Sequence, residues 1–531
     1  MMQKQQVILF DTTLRDGQQC PGAGMSLAQN IEYAKLVAAA GIDVIEAGFP
    51  AASQLDFTIV ENIAGEVVTG ESSPMVAGLC QLREAQVDKT INALMPAVKL
   101  NKALLHVYLP VDPNLMRASL GKFAEDKAQI LKDMAAFVER GVQSGLQVEF
   151  SPEGYSRIGD NFDFVSDVLR AAISAGASVI NCPDTIGGAC KRQGEDYFIE
   201  KMKVHAMLME KEFPDKKVAW SVHCHNDFGL ALENSINAVF EGVATQIEGC
   251  FNGIGERSGN VALEQCIMYI KHFGVDKKRE LAYFTQFDSA RLQAVSDFVC
   301  EHMLVRQPHW PITGDNAAKH TSGGHTNAIL KDPLAYQPFD PKEIGKEISF
   351  VFGPMSGGNL AKSIIERNGY RCNADEKAEI AQFIKQHYDE RRKGITDEEL
   401  MQAYFEYCAP MRISAFDYIR TGEMSTLQLT GRFFDQEDAV KVQYKGDESA
   451  LAALHSAISQ YMPGVDIETY HSSSAEKGVS AESESTIVIK TQAQELYTGI
   501  GLDQDIKISA LKALIDAVNR AYVAEHFLVK E

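Results

Sequence analysis

"VAWSVHCHNDFGLALENS" (residues 218–235) interrupts an apolar run with His223 and His225, then turns polar before a helical pattern opens near Gly229. A short apolar run reads as a strand buried on both faces, and its direct passage into a helix makes one strand-helix unit. The same unit recurs through the first half of the chain. Candidate strands are "QVILFDT" (6–12), "IDVIEAGF" (42–49), "PMVAGLC" (74–80) and "ALLHVYLP" (103–110). Four more follow at "QVEFSPE" (147–153), "SVINCPDT" (178–185), "VAWSVHCH" (218–225) and "TQIEGCFNG" (245–253). The segments between them carry helical spacing, as at Leu27, Ile31, Ala34 and Ala38, or Ile130, Met134, Phe137, Val138 and Val142. Several helices end at glycine before the next strand, in "AAAGID", "SAGAS" and "FEGVA".

Eight such units in about 270 residues predict an α/β fold built as a closed (β/α)8 TIM barrel. An open doubly wound sheet is the alternative, but the regularity of the units favours closure. From 276 to 424 the pattern is mostly helical, with a Gly/His-rich interruption, "KHTSGGHTNAILKDPLAYQPFDP" (319–341). Composition changes again near 425, where strand-like "STLQLTGRFF" and "AVKVQYKG" precede a helix over 448–460. The Ser/Glu-rich "HSSSAEKGVSAESES" (471–485) reads as an exposed loop. Strand "TIVIKTQ" and a last helix, with Leu511, Leu514, Ile515, Val518 and Tyr522 on one face, close the chain. The expected division is a barrel at 1–275, a helical linker region at 276–424 and a small α+β domain at 425–531.

Length and composition limit the function classes. A chain of 531 residues exceeds one ordinary core. Its 45% apolar and 23% charged residues are those of a globular protein. No stretch is long and apolar enough to span a bilayer, and "MMQKQQVILFDTT" is no secretory signal, so a cytoplasmic protein without a membrane partner is expected. Ten cysteines stand singly with no C-x-x-C pair, which argues for reduced thiols against a zinc ribbon or disulfide framework. A formal charge of −21 repels phosphate backbones and argues against a nucleic-acid partner.

Residues two apart on a strand point to one face, so both imidazoles of H-x-H can reach one ion. For H-x-H alone, a pair of buried, hydrogen-bonded histidines is the commoner explanation. The other strand ends shift the balance. The first strand ends in "DTTLRDGQQ", which puts Arg15 and Asp16 at the barrel mouth, and the eighth ends in "NGIGERSGN", which adds Glu256, Arg257 and Asn260. Strands seven, eight and one are neighbours in a closed barrel, so Asp16, His223, His225 and Asn260 are expected to converge. A carboxylate, two imidazoles and an amide oxygen suit a six-coordinate divalent cation such as Mg2+, Mn2+ or Zn2+.

"DTTLRDG", "HCHND" and "NGIGERSGN" together resemble the signatures of the metal-dependent DRE-TIM acyltransferases and lyases, best the α-isopropylmalate synthase and homocitrate synthase family. The tail "TGIGLDQDIKISALKALIDAVNR" (498–520) is similar to the end of that family's leucine-binding regulatory domain. The resemblance implies Asp16, His223 and His225 as metal ligands with Asn260 near or on the ion. Arg15 would face the keto oxygen that becomes an alkoxide, Thr185 of "PDT" would bind the substrate carboxylate, and Glu153 of "SPE" would line the pocket. His325 of "SGGH" resembles the family's catalytic histidine, carried over the mouth from the neighbouring subunit, and Tyr336 of "AYQPFDPKEIG" a tyrosine of the same linker.

The resemblance thus implies a homodimeric acyltransferase that joins acetyl-CoA to a 2-oxo acid, under feedback from an amino acid such as leucine. The expected 2-oxo acid is 2-oxoisovalerate. Pyruvate (citramalate synthase) and 2-oxoglutarate (homocitrate synthase) are the alternatives, and a non-catalytic amino-acid sensor stands behind them. The chemistry is coherent: a 2-oxo acid chelates a cation that polarises its carbonyl, an arginine stabilises the alkoxide, and a histidine removes a thioester α-proton.

Overall fold

The computed structural model describes residues 2–388, 394–445, 447–474 and 482–529. The chain forms two compact units, Met1–Ala318 with Phe339–Glu347, and Lys319–Pro338 with Ile348–Glu531.

The first unit is a closed parallel barrel of eight strands. They are β1 (Ile8–Asp11), β2 (Val44–Gly48), β3 (Met75–Gln81), β4 (Ala103–Pro110), β5 (Gln147–Glu153), β6 (Val179–Asp184), β7 (Ala219–Cys224) and β8 (Gln246–Gly249). The barrel closes where Ile8 pairs with Gln246 and Asp11 with Gly249. Helices cover the outside, so the strand positions packed beneath them are apolar, such as Val76, Leu105, Val107, Val148 and Phe150. The first helix, Leu27–Ala39, starts at a capping box of Ser26 and Gln29.

The expected strand 6–12 is divided. Gln3–Gln6 pairs in parallel with Leu281–Phe284, outside the barrel. The switch falls between two amides: Val7 donates to Phe284 O at 2.8 Å and Ile8 to Thr245 O at 2.9 Å. Successive N–H groups of a strand point to opposite edges, so the chain passes from one sheet to the other without a loop.

Inside the barrel, Phe10, Val44, Ala77 and Leu104 make a small apolar cluster of their own. Polar side chains fill another layer. Gln246 on β8 donates to Glu149 on β5 at 2.8 Å, and because these strands are not neighbours the bond crosses the lumen.

In the second unit, the helices Gly358–Arg367, Lys377–His387 and Asp397–Cys408 close over Leu360, Ile364, Ile380, Ile384, Leu400 and Tyr404. Two β-β-β-α units follow. The first has strands Met411–Thr421, Met424–Phe433 and Ala439–Lys445 and helix Ala450–Ser459. The second has Asp466–Ser474, Ser483–Lys490 and Leu496–Asp503 and helix Ile506–Phe527. Each set of strands is an antiparallel three-stranded sheet, and both helices share one core with Leu427, Leu429, Ile487 and Ile489. Gly499 and Gly501 allow close approach, since a Cβ at Gly501 would stand 2.1 Å from Ser509 O.

Two expectations change here. Strand Met411–Thr421 precedes the expected composition boundary. The Ser/Glu-rich stretch is strand at both ends, 471–474 and 483–485, while 475–481 lie outside the described residues. Serine serves a buried strand there because its hydroxyl is satisfied: Ser509 Oγ lies 2.8 Å from Ser485 Oγ, and both residues are buried. Among the described residues, no helix is long and apolar enough to cross a membrane.

Candidate active site

The carboxyl ends of β1, β7 and β8 meet at one mouth of the barrel. After Asp11 the chain turns tightly, with the amides of Arg15, Asp16 and Gly17 all donating to Thr12 O at 3.1, 2.8 and 3.1 Å. Thr13 is tied across to the last turn, accepting the Phe251 N–H at 2.9 Å. The loop after β8 is fastened to the end of β7 through a His225–Asn260 bridge and an Asn226 N–H to Gly259 O bond of 2.9 Å. Gly255 holds a positive φ of 149° close to the site, where a Cβ would meet Asn260 Nδ2 at 2.3 Å and Asp16 Oδ1 at 3.2 Å. No larger residue leaves this space open.

Asp16, His223 and His225 are brought together as expected: one ligand atom from each lies within 4.8 Å of the others, and all three are buried. The two Nε2 atoms face each other at 3.4 Å, and His223 Nε2 is 3.7 Å from Asp16 Oδ2. Asn260 joins them, its Nδ2 donating to Asp16 Oδ1 at 3.0 Å and to Ile254 O at 3.1 Å. Its Oδ1 is buried without a hydrogen-bond partner. Converging nitrogen and oxygen donors, with one orphaned amide oxygen beside them, fit a divalent cation.

The charges fit as well. Burial by itself would raise the Asp16 carboxyl, but Arg15, His223 and His225 outweigh it and hold it well below the usual carboxylate range. Burial and the neighbouring His223 charge push His225 down to about 3. Asp16 thus stands ionised and His225 neutral, the forms that bind metals, whereas Glu248 and Asp16 raise His223 against the effect of its burial, so a cation there displaces a proton.

Arg15 is locked in place, donating through Nε to Glu46 Oε2 and through Nη1 to Asp16 Oδ2, both at 2.6 Å. Glu46 is fully buried and also accepts from Thr12 Oγ1 at 2.5 Å. Burial opposes its ionisation, but Arg15 and His106 outweigh it and bring its carboxyl down to about 2. His106 bridges onward, Nδ1 to Glu46 Oε1 and Nε2 to Ser151 Oγ, each 2.7 Å. Thr185 and Glu153 line the same cavity of about 180 Å³, together with Leu79, Tyr108, Ser151, Asn181 and Pro183. Thr185 Oγ1 accepts the Gly154 N–H at 2.9 Å, which leaves its hydroxyl proton to donate elsewhere. Burial raises the Glu153 carboxyl against the pull of Arg15.

His325 and Tyr336 belong to the second unit, where their rings stack at 3.9 Å. His325 lies on the short helix Gly323–Ile329, with His320 6.1 Å from it.

Three buried residues escaped the motif reading: Glu46, His106 and Glu248. Their signal was present in "DVIEAGF", "ALLHVYLP" and "TQIEGCF", where Glu46 and His106 each interrupt an apolar strand and Glu248 shares a short one with Gln246. It is the signal that drew attention to His223.

Three family models cover most of the chain: HMGL-like over residues 6–299, homocitrate synthase post-HMGL domain-like over 312–392, and the LeuA allosteric (dimerisation) domain over 419–522. The chain is 32% identical over 527 residues to a 2-isopropylmalate synthase of Acetivibrio thermocellus, covering 97% of this chain and 98% of the relative. It is 31% identical over 529 residues to that of Bradyrhizobium diazoefficiens, covering 97% and 95%. It is 32% identical over 535 residues to that of Prochlorococcus marinus strain NATL2A, covering 98% and 95%.

Proposed function

Since the chain belongs to the 2-isopropylmalate synthase family, we propose that it condenses acetyl-CoA with 2-oxoisovalerate (3-methyl-2-oxobutanoate) and water to give 2-isopropylmalate and CoA. The observation that carries this reading is the buried group of Asp16, His223 and His225 beside Arg15. Those three residues, with Asn260, would hold a divalent cation, which supplies a Lewis acid for the keto and carboxylate oxygens of the 2-oxo acid.

The chain's own residues do the rest. Arg15, fixed by Glu46 and Asp16, holds a positive charge where the alkoxide grows, and its rigid anchoring means no reorganisation during reaction. Thr185 donates its free hydroxyl proton to the substrate carboxylate. Glu153 borders the pocket. His325 of the partner subunit takes the acetyl α-proton, with Tyr336 holding its ring by stacking. The "SGGH" motif and the family's dimerisation domain support this role, and with it a homodimer.

The lining favours a monocarboxylate with an apolar side chain. Leu79 and Pro183 offer apolar wall, and both lining arginines are already paired, Arg15 with Glu46 and Arg257 with Asp227 at 2.9 Å. A second carboxylate, as on 2-oxoglutarate, would find no spare arginine there. Feedback by leucine through residues 419–522 and a cytoplasmic location complete the proposal. Mass spectrometry of the product from acetyl-CoA and 2-oxoisovalerate tests it: 2-isopropylmalate is expected, and turnover of pyruvate alone would replace the substrate assignment.

A further inference from the structure

We propose that Glu248 is a positioning residue of the cation site: it accepts the Nδ1 proton of His223 and so leaves Nε2 to face the ion. This rests on the reading that Asp16, His223 and His225 hold a divalent cation. His223 and Glu248 are paired across neighbouring strands β7 and β8, and both are buried. Their register fixes the meeting, because paired residues on adjacent strands present their side chains to the same face.

The distances assign the two ring nitrogens. His223 Nε2 is the atom beside His225 and Asp16, at 3.4 and 3.7 Å. Nδ1 points the other way and lies 3.2 Å from Glu248 Oε2, at ion-pair distance but off the line of a hydrogen bond. Neither Glu248 oxygen makes a hydrogen bond; Glu149 lies beside it, its carboxyl pushed well up by burial and by Glu248, and a small rotation of Glu248 toward Nδ1 satisfies His223. An imidazole whose Nδ1 carries a proton toward a carboxylate has its Nε2 lone pair free, and the carboxylate makes that lone pair more basic. The support is one-sided: the Nδ1 of His225 is buried with no hydrogen-bond partner.

The experiment is a Mn2+ titration of full-length, chelator-treated protein, read by the electron paramagnetic resonance of free Mn2+. Wild type binds Mn2+ and Asp16→Ala loses it if the cation-site reading holds. Wild type that binds none would overturn that reading and this proposal with it, and would be recognised as such before any Glu248 variant is measured. Glu248→Gln is expected to bind Mn2+ about 10- to 100-fold more weakly, with the melting temperature of the cation-free protein close to wild type. A folded Glu248→Gln that binds Mn2+ like wild type overturns the positioning role. If Glu248→Gln does not fold, the wild type decides: 15N spectra of histidine-labelled protein with Mg2+ are expected to show His223 protonated at Nδ1. Protonation at Nε2 contradicts the proposal.

Discussion

Arg15 and Glu46 are joined Nε to Oε2 at 2.6 Å, and this pair sets the direction of the guanidinium at the barrel mouth. The side chain of Glu46 is fully buried and that of Arg15 nearly so, and Glu46 is held in turn by His106 and Thr12. Arg15→Lys removes the planar fork that binds Glu46 and Asp16 together. The expected result is a fall in kcat of about 100- to 1000-fold, measured by steady-state kinetics. A rise in KM with kcat unchanged would show that Arg15 binds substrate and transition state equally.

His205 supplies a pH test away from the reaction. It is fully buried between Tyr155, at 2.6 Å from Nδ1, and Ser166, at 3.1 Å from Nε2. Burial brings it down to about 4 from an ordinary 6.5. Below pH 6.5 the unfolded chain takes up a proton that the folded chain refuses. The stabilisation is therefore complete above 6.5 and is lost as pH falls toward 4, by about 3 kcal/mol in all. Denaturant melts between pH 7 and 4 are expected to show a shallower decline in His205→Gln than in wild type. Equal slopes would remove His205 as the cause.

Gly501 tests the packing of the last helix. A Cβ there meets Ser509 O at 2.1 Å and Ala513 N at 2.5 Å, both backbone atoms that cannot step aside. Gly501→Val should cost about 1–3 kcal/mol or more, seen as a lowered denaturation midpoint. A midpoint equal to wild type would mean the helix shifts freely on its sheet.

Leucine is expected to bind the full-length protein in calorimetry, and saturating leucine to lower the rate of CoA release. By linkage, whatever favours the active arrangement weakens leucine binding. Binding without any change in rate would separate the regulatory assignment from the catalytic one.

Much of this was legible in the residues themselves. The fourth and fifth strands fall where the sequence places them, Ala103–Pro110 and Gln147–Glu153, because apolar residues packed under the helices recur along each, Leu105 and Val107 in one and Val148 and Phe150 in the other. Asp16, His223 and His225 were legible because loops at strand ends concentrate chemistry on one rim. Glu46, His106 and Glu248 were not, since each acquires meaning only from partners on other strands. The early start of the C-terminal sheet at Met411 was hidden for a related reason. Its exposed positions mix Ser414 and Asp417 with Tyr418 and Ile419, so no clean alternation marks it, and its pairing with Phe433 and Arg432 is made by backbone, which sequence patterning does not record.

If the buried site of Asp16, His223 and His225 holds the cation proposed for it, turnover of a 2-oxo acid with acetyl-CoA depends on that cation. The most direct measurement is CoA release across 2-oxoisovalerate, pyruvate and 2-oxoglutarate, before and after exhaustive chelation and after Mn2+ or Mg2+ is restored. The highest kcat/KM is expected for 2-oxoisovalerate, with its loss on chelation, its return with the cation, and no return in Asp16→Ala. Activity that survives chelation, or a wild type that releases CoA with none of the three acids, would contradict it.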